Sequence, residues 1–182
     1  MRLRGVLQRL SRGLAQNHFE LLGLTPSYAL DSKQLESRYR ELQGHVHPDR
    51  FAAAPEAERR VAMQWAAQAN EAYRTLRDPV ARARYLLALK GFDTGEESNT
   101  AMPADFLMQQ MEWREGVAEA RAGRDAARLK SLRAEIGEEH AEMLRQLERA
   151  IDRDANYDAG CSLVRKLRFL EKLDEEIDEA LE

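Results

Sequence analysis

Residues 45–51 read His-Val-His-Pro-Asp-Arg-Phe, and the rest of the chain falls into place on either side of them. A helix-patterned run leads in, and a second, longer one leaves. Pro48 has no amide proton and would clash with the preceding turn, so it ends the first helix. It also turns His47 away from helical geometry, which puts His47 and Asp49 on an exposed loop. A base, a rigid elbow and a carboxylate on a helix–helix corner suit docking. No nucleophile or second acid–base partner stands near them in sequence to make an active site.

Upstream, Asp31 or Ser32 is placed to cap a helix whose inner stripe is Leu35, Tyr39, Leu42 and Val46, at i, i+4, i+7 and i+11. Lys33, Arg40 and Gly44 fall on the opposite side, so the outer face leans basic. Residues 17–24, NHFELLGL, predict a short apolar helix capped by Asn17 and closed by Gly23. Downstream, Pro55 suits the first turn of a new helix. Ala62, Trp65, Ala66, Ala69, Tyr73 and Leu76 give that helix a stripe poor in bulk, able to pack closely on its predecessor. It stops near Asp78-Pro79, and two antiparallel helices with a small flanking one would bury one core over residues 17–78.

These residues resemble the J-domain of DnaJ-type co-chaperones in three blocks, in order and at family spacing. They are Tyr39-Arg40-Glu41-Leu42, His47-Pro48-Asp49-Arg50, and Asn70-Glu71-Ala72-Tyr73 with Leu76, Asp78-Pro79, Arg82 and Tyr85. The resemblance implies docking on a DnaK-type chaperone and acceleration of its ATP hydrolysis. The contacts would come from the loop residues His47, Pro48 and Asp49 and from the basic face at Lys33 and Arg40. Glu41 stands where many J-domains have a second base, Val46 replaces the usual tyrosine, and Gly44 weakens its helix by about 1 kcal/mol relative to alanine.

Composition narrows the remaining classes. The chain has 182 residues, 33% of them charged, with 10 glycines and 5 prolines, a text that favours a helical protein of one or two small domains. No apolar run approaches the roughly 20 residues that span a bilayer, and a formal charge of −4 argues against a general nucleic-acid binder. Cys161 is the single cysteine, which excludes an internal disulfide. A zinc or iron–sulfur site lacks its ligands, and a reducing compartment fits. A metal or catalytic reading of His45, His47 and Asp49 fails for want of a third ligand, because residues two apart point to different sides. We expect no cofactor, no metal site and no catalytic residue.

Residues 1–16 carry Arg2, Arg4, Arg9 and Arg12 without an acid, and are read as a basic N-terminal extension rather than a targeting segment. Residues 80–89 continue helical and connect the halves, closing a J-domain and connecting helix over 17–90. Residues 91–102, GFDTGEESNTAM, have turn chemistry and read as a linker.

Residues 103–182 predict three long helices in an antiparallel bundle. In the first, Phe106, Trp113, Val117 and Ala120 make a core stripe, with Gly123 as punctuation. Leu107, Met108 and Met111 point elsewhere, beside Glu112, Glu115 and Glu119. A helix that needs one apolar face has two. Either both are buried, or the second is a docking patch edged with acids, for which flexible methionines are suited. The middle helix places Leu129, Leu132, Ile136, His140, Met143, Leu147 and Ile151 in register, with His140 at the core boundary. The last is marked by Leu163, Leu167, Leu170, Leu173, Ile177 and Leu181, leaving Phe169 and Cys161 off the stripe. Its acidic end opposes the helix dipole and is expected to fray.

A J-domain followed by such a bundle resembles the HscB family, co-chaperones of iron–sulfur cluster assembly. Further matches are Arg84-Tyr85-Leu86-Leu87, Gly91-Phe92-Asp93, Phe106-Leu107-Met108, and the run from Val164 to Leu170, VRKLRFL. The resemblance implies an all-α adaptor that brings the scaffold protein IscU to the chaperone HscA and stimulates its ATPase. Implied scaffold contacts are Leu107, Met108, Met111, Glu112, Glu115, Glu119 and Phe169. It also implies a bacterial cytoplasmic protein, since eukaryotic members carry an added N-terminal cysteine-bearing segment not found in these residues. A J-domain co-chaperone serving another client stays open as the alternative.

Overall fold

The structure is a computed structural model that describes residues 17–96 and 102–181. The basic extension at 1–16 and the later part of the linker, 97–101, lie outside the described residues. The fold is all-α, with no strand among the described residues. The chain divides into two compact units, Met1–Arg82 and Ala83–Glu182.

The first unit opens with α1, His18–Leu21, whose N-terminus is closed by the Asn17 side chain accepting from the Glu20 amide at 3.0 Å. Gly23 follows at φ +65°, a left-handed turn that glycine adopts without strain. Asp31 caps α2, Ser32–Val46, by accepting from the amides of Lys33 at 2.8 Å and Gln34 at 3.4 Å. A 3-10 turn, Pro48–Phe51, leads to α3, Glu56–Arg77. Pro55 takes the cap position rather than the first helical turn, one residue earlier than its sequence placement.

Helices α2 and α3 run antiparallel. Tyr39 stacks on Tyr73 at 4.2 Å, while Val46, further along α2, meets Trp65 and Ala66, further back on α3. Ala62, Ala66, Ala69 and Ala72 are all buried, and their small side chains let the two helices approach. The Tyr39 hydroxyl also donates to Asn70 Oδ1 at 2.8 Å, a polar tie at the edge of the core.

Asp78 ends α3 and accepts from the Ala81 amide at 2.6 Å, starting α4, Pro79–Leu89. Residues 79–82 of α4 belong to the first unit, where Arg82 lies 5.0 Å from the Tyr28 ring and donates to the Leu76 carbonyl at 2.6 Å.

In the second unit, residues 83–89 of α4 precede α5, Ala104–Ala122, α6, Ala126–Glu148, and α7, Tyr157–Leu181. Trp113 on α5 donates to Glu135 at 3.0 Å, and Gly116 faces Leu132, so α5 and α6 are antiparallel. Arg133 on α6 pairs with Asp174 at 2.9 Å and Asp178 at 2.6 Å on α7, while Ile151 faces Gly160. That makes the second pair antiparallel too. Helix α7, for whose acidic end fraying was expected, is helical to Leu181. Two of the acids near its end, Asp174 and Asp178, meet a cation on α6, which offsets part of the conflict with the helix dipole.

Two local readings need correction. Cys161 is buried rather than off the stripe, and Val164 takes the fully buried place that Leu163 was expected to hold. The start of α7 is covered on more than one side, since a side chain at Gly160 would meet Leu87 of α4 at 3.2 Å and Ile151 at 3.5 Å. A single stripe therefore underestimates its buried arc. Secondly, α6 does not end as a regular helix but widens into a π turn, Arg149–Arg153, which buries the consecutive residues Ala150 and Ile151.

Gly123 closes α5 as expected, at φ −77°, and the left-handed residue is the next one, Arg124 at φ +52°. The Asp125 amide reaches back to the Ala120 carbonyl at 2.8 Å and the Arg124 amide to Arg121 at 3.1 Å, the paired bonds of a Schellman closure. A side chain in that conformation costs about 1 kcal/mol or more. Arg124→Gly is therefore expected to stabilise the protein by about 1 kcal/mol. Chemical denaturation would check this, and an unchanged or lower midpoint would contradict it.

Residues 91–96 are irregular, as their turn chemistry implied, but firmly held. Glu96 receives two bonds from Arg84, at 2.5 and 2.6 Å, and one from the Thr94 hydroxyl at 2.8 Å. Arg165 donates to the Thr94 carbonyl at 2.7 Å, and Phe92 packs against Tyr157 at 5.2 Å. Burial pushes the Glu96 carboxyl upward, but hydrogen bonds from Arg84 and Thr94, with the charges of Arg84 and Arg168, more than offset it, and its pKa lies below the ordinary value. A depressed carboxylate stabilises the fold above its unfolded pKa, and that contribution disappears as pH falls through the folded value. Glu96→Gln is expected to lower Tm at neutral pH, with the gap to the parent closing below about pH 4. A gap constant across that range in thermal melts would remove the assignment.

Candidate functional site

The His-Pro-Asp corner is built by an apolar bracket. Val46 and Phe51 are both buried, whereas His47, Asp49 and Arg50 between them are exposed. The backbone leaves α2 at His47 with ψ 127°, extended as its place before proline requires. It then closes through the Arg50 amide on the His47 carbonyl at 3.0 Å. The Asp49 amide donates to His47 Nδ1 at 3.3 Å, and the Asp49 carboxylate lies 3.6 Å from the same nitrogen. With Nδ1 accepting, the neutral ring carries its proton on Nε2. Arg50, quoted above only as part of the motif, has a structural part: its guanidinium donates to the Gly44 carbonyl, satisfying one of the last acceptors of α2.

Lys33 and Arg40 are exposed on the outer face of α2, as the wheel placed them. Arg40 is paired along its own helix with Glu36 at 2.5 Å, and Arg38 with Glu41 at 3.4 Å. Exposed pairs of this kind are worth at most about 1 kcal/mol, so a partner's carboxylate competes for Arg40 readily. Lys33 borders a depression that Arg77 and Arg82 also line. Arg77 went unnoticed in the sequence. It sits 44 positions from Lys33 and joins it only through the antiparallel course of α2 and α3.

The second surface lies on α5. Phe106, Trp113, Val117 and Ala120 are buried, whereas Leu107, Met108 and Met111 are 42, 64 and 72% exposed. This decides between the two readings of the helix: its second apolar face is open. Glu112, Glu115 and Glu119 are exposed beside it. Phe169 of α7 is half-buried, set edge-on to Phe106 at 6.1 Å and 81°. The Arg114 guanidinium lies 4.9 Å from the Phe169 ring and the Lys166 ammonium 5.0 Å from that of Phe106. Sequence reading missed both cations. The clue available for Arg114 was its i+3 spacing from Met111.

Cys161 is buried, and burial pushes its thiol above the ordinary range, which makes it a poor nucleophile. Among the described residues, no group of three or more His, Cys, Asp or Glu side chains is placed to hold a metal ion. No helix among them is long and apolar enough to cross a membrane.

An antiparallel helical pair bearing an exposed His-Pro-Asp corner, followed by a separate three-helix unit, defines a J-domain protein with an appended bundle. Residues 17–85 match the DnaJ domain, and residues 102–178 match the HSCB C-terminal oligomerisation domain. The chain belongs to the HscB family of co-chaperones. It is 47% identical over 173 residues to the co-chaperone protein HscB homolog of Aromatoleum aromaticum, covering 95% of this chain and 98% of that one. Among solved structures, chaperone HscB from Vibrio cholerae is similar at a TM-score of 0.79 and 38% identity, over 90% of this chain and 96% of that one. The human co-chaperone protein HscB is similar at a TM-score of 0.86 and 28% identity, over 91% and 82% respectively. The Aromatoleum and human relatives are named as co-chaperones, which fits the DnaJ domain of this chain.

Proposed function

We propose that this chain stimulates the ATPase of a DnaK-type chaperone of the HscA kind and delivers an IscU-type scaffold to it for iron–sulfur cluster transfer in the bacterial cytoplasm. The supporting observation is that two exposed surfaces of different chemistry occur on two separate units. One is a polar corner at the His47-Pro48-Asp49 turn, with His47 and Asp49 exposed, beside the basic face of Lys33 and Arg40. The other is an apolar surface of Leu107, Met108, Met111 and Phe169 edged by Glu112, Glu115 and Glu119. The nucleotide chemistry belongs to the chaperone. This chain acts by touching one conformation of it more favourably than another, which shifts the balance between them.

Cations on the first surface suit an acidic chaperone face. The second surface suits an apolar partner segment flanked by bases. The scaffold's cluster is cargo, and this chain would hold only the protein that carries it. The test is chaperone ATPase turnover with this chain, with scaffold, and with both. Stimulation by the chain that the scaffold enhances is expected. No stimulation by the chain would overturn the activator role, and stimulation indifferent to the scaffold would select a different client.

A further inference from the structure

The two most exposed large apolar side chains among the described residues are Met111 and Met108, neighbours one turn apart on α5. The chain's single thiol is buried and its ionisation suppressed, so the accessible soft sulfur of the second unit lies on thioethers rather than on cysteine. The other methionines there are less available. Met143 is 3% exposed, and half-buried Met102 accepts a hydrogen bond from Gln110 at 3.1 Å.

We propose that Met108 and Met111 form an oxidation site through which a hydroperoxide disengages the scaffold, a regulation that rests on the docking role proposed above. In each step the thioether sulfur attacks the terminal oxygen of the peroxide. An S–O bond forms as the O–O bond breaks, sulfur loses two electrons, and the peroxide leaves as water or alcohol once protonated. Two thiols of a methionine sulfoxide reductase return the electrons, giving thioether, disulfide and water.

The local chemistry makes the change matter. A sulfoxide is a strong acceptor, and Glu112, Glu115 and Glu119 beside the patch offer acceptors only. The Arg114 guanidinium, three residues on from Met111, is held over the Phe169 ring, and the Gln110 amide is engaged with Met102. A sulfoxide here is hydrated in the free protein and must shed that water when a partner covers it. An unpaired polar group buried in this way weakens binding by about tenfold or more.

The experiment treats the full-length protein with hydrogen peroxide, maps sulfoxides by peptide mass, and measures affinity for a purified IscU-type scaffold. Met108 and Met111 should oxidise well before Met143, the affinity should fall about tenfold or more, and sulfoxide reductases should restore it. Met63, 62% exposed in the first unit, is the control, and a Met63→Leu chain should show the same loss. In a Met108→Leu, Met111→Leu chain, affinities before and after peroxide are compared with each other, and their ratio should stay near one. Undiminished affinity of the doubly oxidised protein would overturn the inference, as would an equal loss in the leucine variant. If the reduced protein itself fails to bind the scaffold, the docking role fails instead.

Discussion

His47→Gln is expected to abolish stimulation of the chaperone's ATPase, returning turnover to its basal rate, while scaffold affinity and Tm stay at their parent values. The ring supplies a fixed acceptor, Nδ1, for the Asp49 amide, and with it an oriented donor at Nε2. A glutamine amide on a longer, freely rotating stem does not hold that geometry. The corner would keep its buried anchors Val46 and Phe51, and the substituted side chain is exposed, so the change in stability should lie within about 0.5 kcal/mol. Steady-state ATPase, scaffold titration and a thermal melt on the same preparation check all three. Loss of stimulation together with scaffold binding would mean misfolding or a different mechanism.

The converse substitution is Leu107→Ala with Phe169→Ala. Scaffold affinity is expected to fall by about 2 kcal/mol or more for each anchor, roughly thirtyfold apiece, with the pair not strictly additive. Chaperone stimulation measured without scaffold should remain. Leu107 is largely exposed and its truncation should leave stability nearly unchanged. Phe169 differs, because it also touches Phe106 and the Arg114 guanidinium, so its removal should cost about 1 kcal/mol of stability. A melt separates that cost from the binding loss. Unchanged scaffold affinity in the double variant would remove the patch from the docking surface.

Much of this architecture was legible from periodicity and punctuation. Asn17 and Asp31 cap the helices they precede, and His47-Pro48 breaks the chain where proline sterics demand. That α5 carries two apolar stripes, one through Trp113 and one through Met111, could also be read from the wheel, though that the second is open could not. Such features depend on residues within a few positions of one another, where backbone geometry is nearly fixed.

Other features were not legible. Cys161 is buried, and Leu87 and Ile151 cover Gly160 beside it, residues that no wheel of α7 alone contains. Arg133, more than 40 positions earlier, meets Asp174 and Asp178 near the end of α7. Arg124 accepts a left-handed backbone next to a glycine that does not, and the π turn at Arg149–Arg153 interrupts an otherwise uniform helical text.

The sequence by itself determined the all-α class, the helix starts, the exposed corner and the surplus apolar face, because each follows from local sterics and a 3.6-residue repeat. Tertiary structure alone decided how wide each buried arc is, which charges pair, that Arg77 shares a depression with Lys33, and that Phe169 sits beside Phe106. Those outcomes depend on which helix lies against which face. That is a matter of contacts between residues far apart in the chain, and no local pattern encodes it.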